Sequence, residues 1–96
     1  MYFSLKKNLQ YNEKLLVVCR FKNERHIMYE FISHYLLEGI DCIFLIDHNS
    51  NDKFYDKNKF WLKDLINRNK VNILKSQSDS QENDYNFYLY KIKSFK

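Results

Sequence analysis

Two apolar runs, each followed at once by a polar loop, constrain this chain more than any other feature. The runs are Leu15 to Phe21 and Cys42 to Ile46, and a helix-patterned segment, Arg25 to Glu38, separates them. Short, nearly continuous apolar runs are typical of strands buried on both faces of a parallel sheet. Strand, loop, helix, strand and loop make one βαβ unit, so we expect both loops to leave the same edge of the sheet.

The segment between the two runs has the period of an amphipathic helix. Its apolar residues recur at helical spacing on one face, and they are Ile27, Met28, Phe31, Ile32, Tyr35 and Leu36. Gly39 follows as a helix stop signal. His26, Glu30 and His34 are spaced by four on the other side. They are either polar-face residues with i,i+4 contacts or an incomplete set of zinc ligands.

The chain continues with the same alternation of elements. Helical spacing over Phe60 to Asn69 precedes a third short strand, Val71 to Leu74. A polar loop, residues 77–83, leads to a second helix stripe, formed by Tyr85, Tyr88, Leu89 and Ile92. The first fourteen residues are mixed and predict either a short helix or a flexible lead-in.

This order of elements predicts one α/β domain over residues 1–96. We expect a three-layer α/β/α arrangement around a small parallel sheet, with right-handed crossovers. The three strands should lie near residues 15–21, 42–47 and 71–75, with the first in the middle. Cys19 and Cys42 both fall inside predicted strands, where free thiols are commonly buried, and they lie close if those strands are neighbours.

Composition disfavours several classes of protein. The 96 residues are 45% hydrophobic, which is enough for a core, and one glycine with no proline is sparse for a loop-rich sandwich or barrel. The net charge of +4 is spread along the chain without a basic block, so we expect no nucleic-acid partner. Neither a signal-peptide core nor a membrane-spanning run is present, and we expect a cytoplasmic location.

Polar side chains at the predicted sheet edge are the candidate site. Open α/β sheets bind ligands beyond the carboxyl ends of their strands. There, Glu24 and Asp47 can accept hydrogen bonds from ribose hydroxyls or a base N–H, and Arg20 and Lys22 can face phosphate oxygens. By residue type, the second loop also fits a turn in which Asp52 caps a following helix. The glycine-rich dinucleotide fingerprint and the P-loop motif are absent.

The stretch VVCRFKNERHIMYEFISHYLLEGIDCIFLIDHNSND resembles the start of GT-A glycosyltransferases of the family 2 and family 92 type. The shared pattern is K-N-E, then E-W-(x)-x-H, then G-(V/I)-D, then D-x-x-S-x-D. Several separated elements keep both order and spacing, and the likeness covers residues 15–75. The matching residues are Lys22, Asn23, Glu24, Glu30, Phe31, His34, Gly39, Ile40, Asp41, Asp47, Asn49, Ser50 and Asp52.

The resemblance implies sugar transfer from a nucleotide-sugar donor, and a uridine diphosphate sugar is the expected donor. It also implies that residues 22–24 and Asp47 lie around the base and ribose, while residues 20–21 line the pocket wall. The remaining residues shape the second loop. The implied nucleotide-binding residues are Arg20, Phe21, Lys22, Asn23, Glu24, Asp47, His48, Asn49, Ser50 and Asp52.

The chain departs from the family pattern in three ways. Phe31 replaces the usual tryptophan, which is a mild packing change. Many family 2 members have a second acid where this chain has His48. The metal-binding Asp-x-Asp of the family comes after a further helix and strand, and neither Asp79 nor Asp84 follows an apolar strand. We therefore expect the Mn²⁺ or Mg²⁺ of the complete enzyme to have no ligands in this chain, and the catalytic residues stay unassigned.

Two functional hypotheses follow from these observations. In the first, the chain is the nucleotide-binding half of a glycosyltransferase, inactive alone, as a truncated product or as a piece that a second chain completes. In the second, it is a non-enzymatic module that binds a nucleotide or a partner chain. RNA binding ranks below both, because the aromatic and basic residues follow core and solvent patterns.

Overall fold

The protein has a small α/β fold. Its structure, a computed structural model, describes residues 2–11, 14–53, 55, 59–77, 79–80 and 82–86. Residues 82–86 are helical, whereas Tyr88, Leu89 and Ile92 of the predicted last helix lie outside the described residues. The predicted strands and helices between residues 14 and 75 are confirmed to within about two residues at their ends. In chain order the elements are β1 (Tyr2–Tyr11), β2 (Lys14–Lys22), α1 (Arg25–Leu37), β3 (Cys42–Asp47), α2 (Lys59–Asn67) and β4 (Val71–Lys75).

The strands form one sheet in the order β1-β2-β3-β4. β2 is parallel to β3, and β3 is parallel to β4, which confirms a parallel three-stranded unit. The prediction that residues 15–21 form its middle strand is wrong, because β3 lies between β2 and β4. Residues of α1 and α2 pack into the same apolar cluster. Crossovers of this kind are right-handed as a rule, and two of them over one face advance the sheet in one direction, which places β4 beyond β3.

β1 is a strand where the sequence left a helix or a flexible lead-in open. It pairs with β2 in antiparallel orientation, with Phe3 opposite Phe21 and an irregularity between Leu5 and Lys7. Apolar side chains at positions 3, 5, 9 and 11 alternate with polar ones. A period of two is the signature of a strand, and it is the signal that identifies β1.

Alternate residues of the central strands enter two apolar clusters, as strands with a side-chain period of two require. The first cluster contains buried residues of β2, β3 and β4, of α1 and α2, and of the loop between α1 and β3, namely Val17, Cys19, Phe21, Met28, Ile32, Ile40, Ile43, Leu45, Leu62 and Val71. The second contains the alternate strand residues and one residue of the 82–86 helix, namely Leu16, Val18, Phe44, Ile46 and Tyr85.

The same register separates the two cysteines. Cys42 lies opposite Leu16, and Cys19 lies opposite Leu45. Cys19 belongs to the first cluster, whereas Cys42 packs against the second. The strands are neighbours, but the two thiols belong to different clusters, and neither cysteine forms a disulfide among the described residues.

Both helices end in the same hydrogen-bonded motif. Gly39 has φ of 100°, its N–H donates to the carbonyl of Leu36, and the N–H of Ile40 donates to that of Tyr35. A residue with positive φ just after the last turn is the usual helix stop. In α2 that place is taken by Asn69, with φ of 60°. Asparagine tolerates this region better than most residues, so the chain turns back into the sheet without a second glycine.

Removing core volume from α1 should destabilise the protein. Ile32 is fully buried, and Ile32→Ala should lower the free energy of unfolding by about 2–5 kcal/mol through lost contacts and a cavity. Ile27→Ala is the matched control on the same helix, because Ile27 is 39% exposed; it should cost less than about 1 kcal/mol. Urea unfolding followed by circular dichroism measures both. Equal losses would contradict this placement of α1.

Alkaline pH should weaken the fold through Cys42. Burial raises the pKa of this thiol from 9.0 to about 11. The native state therefore keeps a proton that the unfolded chain releases, so stability is lost as pH rises from 9.0 to about 11. Unfolding measured across this range should fall more steeply for the wild type than for Cys42→Ala. Parallel pH profiles would contradict the prediction.

Candidate functional site

The loops after β2, β3 and β4 begin at one level of the sheet. Phe21 lies opposite Asp47, and Asp47 lies opposite Lys75. The ladder extends past the strands, because the N–H of His48 donates to the carbonyl of Phe21 and the N–H of Ser76 donates to that of Asp47, each at 2.9 Å. We call residues 20–25, 47–52 and 75–77 the carboxyl edge. The structure thus brings together every site residue that the sequence predicted.

Asn23 links the first loop to the second. Its backbone N–H donates to Ser50 Oγ at 3.0 Å, and its Oδ1 accepts from the N–H of Asn51 at 2.8 Å. Its φ of 55° is a conformation that asparagine tolerates well. The two loops are therefore joined by two hydrogen bonds, one to the backbone and one to the side chain of Asn23.

The second loop is closed by its own carboxylates. Asp47 Oδ1 accepts from the N–H of Ser50 at 2.9 Å, and Asn49 between them has φ of 58°. This turn agrees with the interpretation of the loop from residue type. Asp52 also bonds back to the first loop. Its Oδ2 accepts from the N–H of Arg25 at 3.0 Å, and its carbonyl accepts from Arg25 Nη1. Asp52 thus caps α1, which precedes it in the chain.

Glu24 is the least satisfied polar residue of the carboxyl edge. It is only 2% exposed, although it immediately precedes α1. Its Oε1 lies 3.9 Å from Nε2 of His26, whose side chain is 69% exposed. Among the described residues, Oε2 has no hydrogen-bond partner. A buried carboxyl oxygen without a donor is energetically costly. Glu24 Oε2 is the one such side-chain atom among the described residues.

Arg20 is buried among acceptors that belong to the protein itself. It is 5% exposed, and its Nε donates to Asp84 Oδ2 at 2.9 Å. Its Nη2 donates to Nδ1 of His48 at 2.9 Å and to the carbonyl of Asp79 at 3.1 Å. The N–H of Arg20 donates to the hydroxyl of Tyr85. A buried guanidinium requires such a set of acceptors. In this protein the acceptors are groups of the chain itself.

Asp84 organises the third loop around the same guanidinium. Its Oδ2 also accepts from the Ser76 hydroxyl at 2.5 Å, and its Oδ1 accepts from the N–H of Gln77 at 2.7 Å. Sequence reasoning missed Asp84, Ser76 and Gln77 as members of the site. The signal was Arg20 itself, because a charged residue inside an apolar strand requires a buried acid elsewhere in the chain.

The remaining predicted residues differ in accessibility. Phe21 is fully buried in the cluster beneath α1, so its side chain packs in the core and is not exposed at the edge. The cause is the strand period, since Phe21 shares the face of Val17 and Cys19. Lys22, the last residue of β2, is half-buried. Its side chain is thus partly accessible from solvent.

Three carboxylates at and beside the carboxyl edge are engaged by the protein itself. Asp47, Asp52 and Asp84 each accept hydrogen bonds from the protein's own N–H groups. Within the part of the chain that the structure describes, no three histidine, cysteine or acidic side chains form a group that could hold a metal ion. His26 and His34 are exposed on α1.

Comparisons with models of known protein families, with curated proteins and with solved structures find no match to this chain. Among the helices of the described residues, none has both the length and the hydropathy that a membrane crossing requires.

The Arg20–Asp84 pair should be essential for stability. Asp84→Asn removes the charge opposite a buried guanidinium, and breaking such a pair costs about 3–5 kcal/mol. Asp64→Asn is the matched control, because Asp64 forms an exposed pair with Arg68 at 3.2 Å. Pairs of that kind contribute about 0.3–0.5 kcal/mol. Urea unfolding of both variants measures the difference, and similar losses would refute the assignment.

Proposed function

We propose that this chain is the nucleotide-binding part of a GT-A-type glycosyltransferase and holds the nucleoside of a nucleotide-sugar donor at the carboxyl edge. The observation that supports this most directly is the buried carboxyl of Glu24, whose Oε2 has no donor among the described residues. It lies in the K-N-E motif on which the family resemblance rests. A uridine diphosphate sugar is the donor we infer.

A nucleoside supplies what Glu24 lacks. Ribose hydroxyls and base N–H groups donate hydrogen bonds, and a hydrogen bond to a charged group contributes about 1.5–3 kcal/mol. The loops are already joined through Asn23, Ser50 and Asn51, so little ordering remains to be done on binding. Pre-organisation of this kind increases affinity, because fewer groups lose freedom in the complex.

Two basic residues of the edge have different roles. Arg20 is committed to Asp84 and holds the loops in place. Lys22 ends β2 and is half-buried, and we assign it to the diphosphate, for which lysine is a suitable point charge. This assignment changes the role that residue type alone suggested for Arg20, from phosphate contact to support of the edge.

The fold is consistent with this role. We infer a three-layer α/β/α arrangement, supported by α1 and α2 on one apolar cluster and by Tyr85 of the 82–86 helix on the other. Ligands of such sheets bind at the carboxyl ends of the strands. We assign donor binding to this edge and leave transfer to the complete enzyme, because Asp47, Asp52 and Asp84 are engaged by protein donors.

Glu24→Gln should separate binding from stability. The substitution removes the charge that accepts the nucleoside's donors, so the affinity for uridine diphosphate should fall roughly tenfold or more. It also removes a carboxylate oxygen that has no donor in the described structure, so stability should be unchanged or increased. Functional residues commonly show this trade-off. Calorimetric titration and urea unfolding measure the two effects.

Glu30→Gln provides the control, because Glu30 is an exposed carboxylate on α1. Asp47→Ala should weaken binding and also loosen the turn that Asp47 closes. Chemical-shift changes on titration should cluster at residues 20–24 and 47–52. Wild-type protein that binds no nucleoside diphosphate, or changes confined to α2, would reject this proposal in favour of the partner-binding alternative.

A further inference from the structure

A polar depression lies beside the nucleoside-binding loops, over the ends of β3 and β4. It is lined by His48, Asn49, Ser76, Gln77 and Asp79. His48 belongs to the second loop of the carboxyl edge, whereas the other wall comes from the chain after β4. Four of the five lining residues thus belong to the carboxyl edge, and the position of the ring proton on His48 decides which hydrogen-bonding groups can bind in the depression.

Arg20 determines that state. A guanidinium has five donors and no acceptor, and it stays protonated. Its Nη2 lies 2.9 Å from His48 Nδ1, so Nδ1 has to present its lone pair. In a neutral imidazole the proton is then on Nε2. Arg20 is itself held by Asp84 at 2.9 Å in a buried pair, and this geometry is therefore imposed from the core.

Ser76 does not change this assignment. Its hydroxyl lies 3.2 Å from His48 Nδ1 and 2.5 Å from Asp84 Oδ2. If the hydroxyl donates to Asp84, Nδ1 still accepts from Arg20. If it donates to His48, Nδ1 is again the acceptor. A proton on Nδ1 would place two donors against each other at the shorter contact, which is unfavourable.

His48 is consequently a donor toward ligands. Among the described residues, Nε2 has no hydrogen-bond partner. The carboxylate of Asp79 lines the same depression and is exposed. Its negative charge opposes a phosphate there more strongly than an uncharged group.

We propose that His48, fixed by Arg20 as an Nε2–H donor, reads the C4 carbonyl of a uracil base in this depression and excludes cytosine. The inference rests on the proposed function and specifies the base of the donor. Uracil presents a carbonyl acceptor at C4, whereas cytosine presents an amino donor at the same place. A site built around a donor loses its hydrogen bond and faces a second donor when cytosine enters.

The tautomer can be tested without any ligand. A long-range ¹H–¹⁵N correlation spectrum of the free protein at neutral pH should show His48 with a protonated Nε2 and an unprotonated Nδ1. The exposed His34 serves as the internal reference. A proton on Nδ1 of His48 would overturn the inference whatever the protein binds.

Base selection is tested with uridine and cytidine diphosphates and a pair of variants. The wild type should prefer uridine diphosphate by about tenfold. His48→Asn retains an acceptor near Nδ1 but loses the outer donor, so the preference should disappear. His48→Gln places an amide donor near Nε2 and should keep part of it. His34→Asn, on the exposed face of α1, should leave the ratio unchanged.

The outcomes separate the two proposals. Binding of uridine diphosphate with a preference that survives His48→Asn would overturn this inference and leave the nucleotide-binding function intact. Absence of binding by either nucleotide to the wild type would overturn both. Loss of the preference in His48→Asn, with uridine diphosphate still bound and the thermal unfolding midpoint retained, is the result we expect.

Discussion

The carboxyl edge depends on one buried guanidinium. Arg20 lies in an apolar strand, where burial of a charge is tolerated only with a full set of acceptors. It obtains them from three separate parts of the chain: Asp84, His48 and the carbonyl of Asp79. Those contacts join β2 to the second loop and to the residues after β4, and Asp84 in turn holds Ser76 and Gln77. One desolvated charge thus brings together segments that share no local sequence pattern, because leaving any of its donors unsatisfied would be costly.

Asparagine supplies most of the sharp backbone geometry that glycine supplies in other proteins. Asn23, Asn49 and Asn69 all have positive φ, and the chain contains a single glycine. At the carboxyl edge this choice has a second effect, because Asn23 also accepts a hydrogen bond from Asn51 through its side chain. Glycine could adopt the same φ but could not form that link, so asparagine both turns the loop and fixes it to its neighbour.

Glu24 contradicts the local rules that the rest of the edge obeys. Its neighbours satisfy one another: Asp52 caps α1 from the second loop, and Asp47 closes its own turn. A buried carboxyl oxygen without a donor among the described residues stands out against that background. Departures of this kind are expected where a protein binds something, since a group satisfied internally is not available to a ligand. Arg20 is therefore the residue that holds the loops of the edge together, and Glu24 is the residue that we propose contacts the ligand.

The sequence by itself determined the elements of this fold, because burial of one or two faces imposes a period on the local pattern. It identified β2, α1, β3, α2 and β4, the helix stop at Gly39, and the convergence of residues 22–24 with 47–52. Only the tertiary structure decided the strand order, since the direction in which the sheet grows depends on which face α2 covers. It also decided that Arg20 pairs with Asp84 across 64 positions of sequence and that Asp52 caps the helix before it. Such pairings join distant residues through charge and hydrogen-bond geometry, and neither leaves a period in the sequence.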